Sequence, residues 1–117
     1  MSLHELAIKG IARYLIDDRL TGEPIHMHIS AVAPSERSHP PHQHPGYEAF
    51  YIFEGQGTVE LDGETSVLRA GEAIVFDSTR MHGLVNTGDQ PLRYLVVLRP
   101  LPANLPSQQF SPTHSAI

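Results

Sequence analysis

The chain has 117 residues, no cysteine and a net charge of −5, with eight Lys and Arg against thirteen Asp and Glu. This length suits one domain, and the lack of Cys excludes disulfides, thiolate metal ligands and thiol nucleophiles. Scattered cations on an acidic chain argue against nucleic-acid binding. Because neither a signal peptide nor an apolar run of about 20 residues occurs, we expect a cytoplasmic protein that does not enter a membrane.

Short β-strands are predicted along most of the chain. Residues 3–16 fit either one helical turn, with Gly10 in its middle, or an added edge strand. Period-two alternation of apolar residues predicts the next strand, and Asp62-Gly63 predicts a hairpin further along. The predicted strands after the first segment cover residues 25–32, 47–54, 58–61, 64–68, 73–76, 81–86 and 92–99. Strands at intervals of about ten residues are typical of an all-β sandwich or barrel.

A single domain is expected over residues 1–117. Its core would cover about 20–99, with an N-terminal strand or arm over 1–19 and a Pro-rich tail over 100–117. The tail holds four of the ten Pro residues, a composition that predicts disorder unless the segment rests on other structure. We expect the tail to lie on a partner chain.

A group of metal-ligand residue types stands in the middle of the chain. His42 and His44 are two residues apart, so on a strand they point to one face. Glu48 keeps that parity if the chain re-enters a strand after Pro45-Gly46, and His82 would arrive from another strand. Three imidazoles and one carboxylate are the donor mix that borderline divalent metals prefer. Without further context, a His-rich surface loop with one core His would fit the same residues.

The spacing of these residues resembles the two motifs of the cupin superfamily. The first motif, H-x-H, three residues, E, six residues, G, is matched by His42, His44, Glu48 and Gly55. In the second motif, Gly71, His82 and Asn86 fall at the matching positions. Fifteen residues separate the two motifs, a short spacing similar to that of small single-domain microbial cupins. The resemblance covers about 45 of the 117 residues.

The resemblance implies a double-stranded β-helix, the jelly-roll cupin barrel, with a metal inside. It makes His42, His44, Glu48 and His82 the metal ligands, and it leaves the metal open among Fe, Mn, Ni, Zn and Cu. Asn86 would satisfy nearby backbone groups instead. The chain departs from the motifs where Asp77 and Thr79 replace the usual Pro and Gly, and this puts the local loop shape in doubt.

Side-chain parity predicts which residues line a pocket beside the metal. The expected lining is largely apolar, although each of these residues could equally belong to the core. The pocket residues predicted in this way are Phe50, Ile52, Leu84, Tyr94 and Val96. His26 and His28 form a second H-x-H, for which a second metal site or a proton relay is one interpretation. We favour the other, that they lie on the solvent or interface face, opposite Ile25, Met27 and Ile29.

Two functions stay open at this point. One is a metal-dependent enzyme that acts on a small oxygen-bearing organic molecule as a dioxygenase, isomerase or lyase. The alternative is a non-catalytic module that binds or senses a small molecule. The resemblance also implies a homodimer, in which residues before Pro24 or after Pro100 would cross to the partner chain.

Overall fold

The protein is all-β in the computed structural model, which describes residues 2–20 and 25–101. Its strands are β1 (Leu3–Ile8), β2 (Ile11–Asp17), β3 (His26–Val32), β4 (Gly46–Glu54), β5 (Gln56–Leu61), β6 (Glu64–Arg69), β7 (Ala73–Asp77), β8 (His82–Val85) and β9 (Leu92–Pro100). From β3 onward, these bounds agree with the predicted strands to within two residues. No helix that could cross a membrane occurs in the described ranges. The Pro-rich tail beyond residue 101, with its predicted partner contact, lies outside them.

Two sheets form the barrel. Antiparallel pairing gives a four-stranded sheet in the order β3-β9-β4-β7 and a three-stranded sheet in the order β6-β5-β8. The core lies between them and is built from side chains of both sheets, including the fully buried Ile52, Leu84 and Leu92. Because β-strand side chains alternate between faces, each strand gives one face to this core and the other to the outside. The predicted double-stranded β-helix is thus confirmed.

The N-terminal segment is strand and not helix, but it forms a hairpin of its own instead of the single added edge strand that one interpretation of residues 3–16 predicted. Strands β1 and β2 pair with each other and turn at Gly10, whose φ of +78° is a conformation that glycine adopts without strain. The turn packs against the barrel, where the Ile29 amide of β3 donates a hydrogen bond to the Lys9 carbonyl at 2.9 Å. The hairpin therefore covers part of an edge strand of the larger sheet.

Candidate metal centre

The first predicted ligand, His42, lies on an irregular segment that runs beside β8. The backbones of His42 and His82 exchange two hydrogen bonds, with N–O distances of 3.0 and 2.8 Å. Arg37 clamps the start of this segment through a bidentate ion pair with Glu60 of β5, at 2.7 and 3.2 Å. These bonds place two residues that are 40 positions apart in the sequence directly opposite each other.

The chain then crosses from the smaller sheet to the larger one at Pro45-Gly46. Gly46 has a φ of +127°, and a Cβ there would lie 2.3 Å from the Arg99 carbonyl oxygen, so the crossing requires glycine. Strand β4 begins at this residue and carries Glu48, which is 7% exposed, on its inner face. The parity that the sequence predicted for Glu48 follows from this tight crossing.

A turn before β8 orients His82. The Asp77 carboxylate accepts hydrogen bonds from the Thr79 amide and hydroxyl, at 2.9 and 2.6 Å, so side-chain bonding shapes the turn where the family motif has Pro and Gly. The His82 Nδ1–H donates to the Arg80 carbonyl at 2.7 Å. The Phe76 ring packs on the imidazole, with centroids 4.8 Å apart. In neutral His82 this bond leaves the Nε2 lone pair free to face the barrel interior.

The four predicted ligands meet at this point. One donor atom from each of His42, His44, Glu48 and His82 lies within 4.8 Å of all the others. Glu48 Oε1 is 3.1 Å from His44 Nε2 and 3.2 Å from His82 Nε2. Yet Glu48 Oε1 and His82 Nε2 are both buried and make no hydrogen bond. Buried polar atoms without partners are costly, and here they point to a shared ion, which this donor set suits.

The protonation of His42 also fits a donor role. Partial burial, together with the nearby imidazoles of His39, His82 and His44, lowers the pKa of His42 to about 4. The ring is therefore neutral near pH 7, as a metal ligand must be. Exposure falls across the group, from the exposed His42 to the fully buried His82.

A cavity of about 330 Å³ opens beside the donor cluster, with His42, His44 and Glu48 in its wall. Among the predicted pocket residues, Phe50, Tyr94 and Val96 line it, whereas Ile52 and Leu84 are fully buried in the core and are absent from its wall. Burial raises the pKa of the Tyr94 hydroxyl, an effect that the hydroxyls of Ser38 and Ser30 oppose and the Glu48 carboxylate reinforces. Tyr94 therefore carries its proton at neutral pH.

The favoured interpretation of His26 and His28 is wrong. Both line the cavity, on the same face of β3 as the buried Ser30, while Met27 lies on the opposite face. The prediction took the face with the large apolar residues as the inner face of β3. In the structure, that face is the outer face of this edge strand. The H-x-H spacing places both imidazoles on one face of a strand, and it could have indicated that they share a site.

Two further residues line the cavity, and little in the sequence indicated their positions. His39 stacks on His42, with ring centroids 4.1 Å apart. Lys9 reaches the cavity from the hairpin turn and had no local signal, since its position depends on how the hairpin folds back.

Asn86 has the predicted structural role, because its side-chain amide donates to the Val32 and Gln90 carbonyls at 2.9 and 2.8 Å.

Comparison with known proteins agrees with this fold. Residues 28–98 match the family model described as Cupin_2, cupin domain. The chain is 38% identical over 76 residues to the polyketide synthase CurC of Streptomyces cyaneus, covering 64% of this chain and 49% of that protein. It is 34% identical over 58 residues to the oxalate-binding protein of Thermotoga maritima, covering 49% and 48% of the two chains. It thus spans about half the length of these curated relatives.

A solved structure, TT1209 of Thermus thermophilus, shares the fold. The TM-score is 0.64 at 22% identity, and the match covers 86% of each chain.

Proposed function

Because the chain belongs to the Cupin_2 family of cupin domains, we propose that it is a metal-binding barrel protein and a metal-dependent enzyme. Its substrate would be a small oxygen-bearing organic molecule, and its ligands would be His42, His44, Glu48 and His82. The relative named for oxalate binding supports a ligand of this kind. The dioxygenase, isomerase and lyase types all remain compatible with this site.

One observation carries the proposal. Four donor atoms from separate parts of the backbone converge within 4.8 Å, and two of them are buried without any hydrogen bond. A core that held no ion would bear a desolvation cost for Glu48 and His82 without compensation. The same donors would be satisfied by a divalent transition metal such as Fe, Mn, Ni, Zn or Cu.

The chemistry available from such an ion is the polarisation of ligand oxygens or, for a redox metal, reaction with dioxygen. The chain itself supplies groups that hold protons next to the donors. Tyr94, which is 3% exposed as a whole residue, lines the cavity and carries its phenol proton, so its hydroxyl can donate a hydrogen bond to a ligand oxygen. Phe50 and Val96 make the adjoining wall apolar and exclude water. A titratable group beside the donors is what acid–base catalysis requires, and this favours the enzyme over a purely binding module.

Metal uptake tests the proposal. Metal-free protein would be dialysed against zinc or manganese and then assayed by elemental analysis, and we expect about one ion per chain. Glu48→Gln and His82→Gln should weaken uptake by about 100-fold or more, since each removes a ligand rather than an outer partner. His4→Gln, which alters an imidazole that pairs with Asp18 on the hairpin, is the matched control. Uptake that survives in both ligand variants would refute the site.

We further propose that the chain forms a homodimer through the outer face of the four-stranded sheet. Two consecutive rows of this face are wholly apolar across all four strands. Following the strand register, they are Met27, Val97, Ala49 and Val75, and then Ile29, Leu95, Tyr51 and Ala73. Val75 is 75% exposed and Tyr51 is 44% exposed. A second copy is the occupant that fits, because a two-fold axis lets one apolar patch cover itself.

Light scattering during size-exclusion chromatography tests the dimer. Val75→Glu places a charge in the apolar rows, so we expect it to convert a dimer into a monomer at micromolar concentration. Val67→Glu is the matched control, since Val67 is also exposed but lies on β6 of the other sheet. A monomeric parent protein would contradict the proposal. The expected crossing of residues before Pro24 or after Pro100 stays a prediction.

A further inference from the structure

The cavity has a second polar end that the four donors do not use. On the inner face of β3, His26 and His28 line the cavity, and their rings lie 5.7 Å apart in an edge-to-face arrangement. In the strand register, His26 pairs with Leu98, and Leu98 pairs with Glu48. Two strand spacings therefore separate His26 from β4, the strand that carries Glu48. The backbones of these two strands are roughly 10 Å apart.

The surface between these two ends is apolar. Val96 and Leu98 of β9 lie between β3 and β4, and Phe50 of β4 adjoins them. A ligand that reached from the donors to β3 would thus cross hydrocarbon before it met the second polar end. With polar groups at both ends and apolar side chains between them, the cavity suits a small molecule whose two polar groups are joined by an apolar body.

The hairpin turn fixes a cation at this second end. The Lys9 carbonyl accepts the Ile29 amide hydrogen at 2.9 Å, and Lys9 Nζ donates to Ser30 Oγ at 3.4 Å. The turn lies so close to β3 that a Cβ on Gly10 would be 2.5 Å from the Ile29 Cβ. The position of Lys9 is therefore set by the packing of the turn on β3 and not by a long flexible loop. Lys9 is also the single lysine among the eight Lys and Arg residues of the chain.

The charges around the cavity are unbalanced. Among the lining residues that the structure describes, Lys9 is the one permanent cation, and Glu48, the one carboxylate, belongs to the donor cluster. Burial lowers the pKa of His28, and the neighbouring His26 and Lys9 add to the effect. Among the described lining residues, the β3 end thus presents hydrogen-bond donors and the charge of Lys9, and the one carboxylate lies at the donor end.

We propose that Lys9, His26 and His28 recognise an anionic group of the carboxylate class at the end of the ligand remote from its metal-binding oxygens. The inference rests on the proposed function and narrows its substrate to small acids. Such an acid has chelating oxygens at one end, an apolar middle over Val96 and Leu98, and a carboxylate at β3. Charge-assisted hydrogen bonds favour that carboxylate over a neutral group of the same shape.

Two matched probes test this recognition on the zinc-loaded protein. 4-Carboxybenzohydroxamate and 4-carbamoylbenzohydroxamate share the hydroxamate for the metal and the benzene ring for the apolar floor, and they differ only in the charge at the far end. By calorimetry we expect the carboxylate probe to bind about tenfold more tightly. Lys9→Met and His28→Gln should each reduce this ratio to about twofold while leaving the affinity for the amide probe unchanged.

Arg13→Met is the matched control, because Arg13 is a hairpin cation that pairs with the exposed Glu5 and lies away from the cavity wall. It should retain the tenfold ratio of the parent protein. As a second readout, reductive ¹³C-methylation labels the single lysine and the N-terminal amine, and the lysine NMR signal should move with the carboxylate probe and stay in place with the amide probe.

The outcomes separate the two proposals. Equal affinities of zinc-loaded protein for the two probes would overturn the inference alone, as would a ratio that survives in both variants. Protein that takes up no zinc would overturn the proposed function and this inference with it.

Discussion

Glu48→Met is the substitution whose effect on stability depends most directly on the role of this carboxylate. Glu48 is 7% exposed, and its Oε1 atom makes no hydrogen bond. An unsatisfied buried polar group costs about 1–3 kcal/mol, and Met fills a similar volume without that cost. We therefore expect metal-free Glu48→Met to be more stable than the parent protein by about 1–3 kcal/mol.

The size of the melting shift follows from chain length. An unfolding entropy of about 2.1 cal/mol/K per residue gives about 0.25 kcal/mol/K for 117 residues, so Tm should rise by about 4–12 °C. Zinc should then reverse the order of stability. At 1,000 times its dissociation constant it stabilises the parent by about 4.1 kcal/mol, or about 16 °C, and it stabilises the variant, which lacks a ligand, far less.

Calorimetric melting at pH 8, with EDTA and then with excess zinc, measures both shifts. Glu54→Met is the matched control, since Glu54 lies on the same strand but is half exposed, and its replacement should change stability by less than about 0.5 kcal/mol. A metal-free Glu48→Met protein that melts below the parent would show that the carboxylate is a structural anchor. The argument from unsatisfied donors would then fail.

Three further predictions concern the scaffold. Leu84→Ala, at a fully buried core position, should cost about 2–5 kcal/mol in urea unfolding, and a loss below about 1 would contradict the described core. Gly46→Ala would bring a Cβ within 2.3 Å of the Arg99 carbonyl oxygen, whereas Gly63→Ala, also at a positive φ, meets open space. Gly46→Ala should therefore lower the free energy of unfolding by clearly more than the roughly 1 kcal/mol expected of Gly63→Ala. Equal losses of stability would refute the close crossing. Finally, because burial lowers the pKa of His28, the unfolded chain binds this proton first as pH falls below about 6.5. Stability should decline over that range, and His28→Gln should reduce the slope of urea midpoints measured with EDTA between pH 7.5 and 5.5; an unchanged slope would count against the buried position.

Much of the fold could be predicted because local chemistry determines it. Asp62-Gly63 forms the predicted hairpin between β5 and β6, and the alternation in β9 correctly placed Tyr94 and Val96 inward. The convergence of His42 with His82 could be predicted only through the family resemblance. Nothing local in either segment indicates the backbone pairing that joins them.

The face of β3 shows where local patterns fail. Its larger apolar side chains, Met27 and Ile29, point away from the core, whereas His26 and His28 face the cavity. A period-two pattern gives the alternation of a strand but not which face is inward when both faces are partly covered. The position of Lys9 could not be predicted from the sequence for a similar reason. Its contact with Ser30 depends on the packing of a hairpin turn 21 residues earlier in the chain.

X-ray absorption at the zinc edge of the loaded protein tests the shared ion most directly. We predict one zinc shell with nitrogen and oxygen donors at about 2.0–2.2 Å, together with the outer scattering of three imidazole rings. His82→Gln should reduce that imidazole contribution to two rings or abolish binding. A spectrum without imidazole scattering, or one that is the same in the parent and the variant, would show that His42, His44, Glu48 and His82 do not meet around one metal.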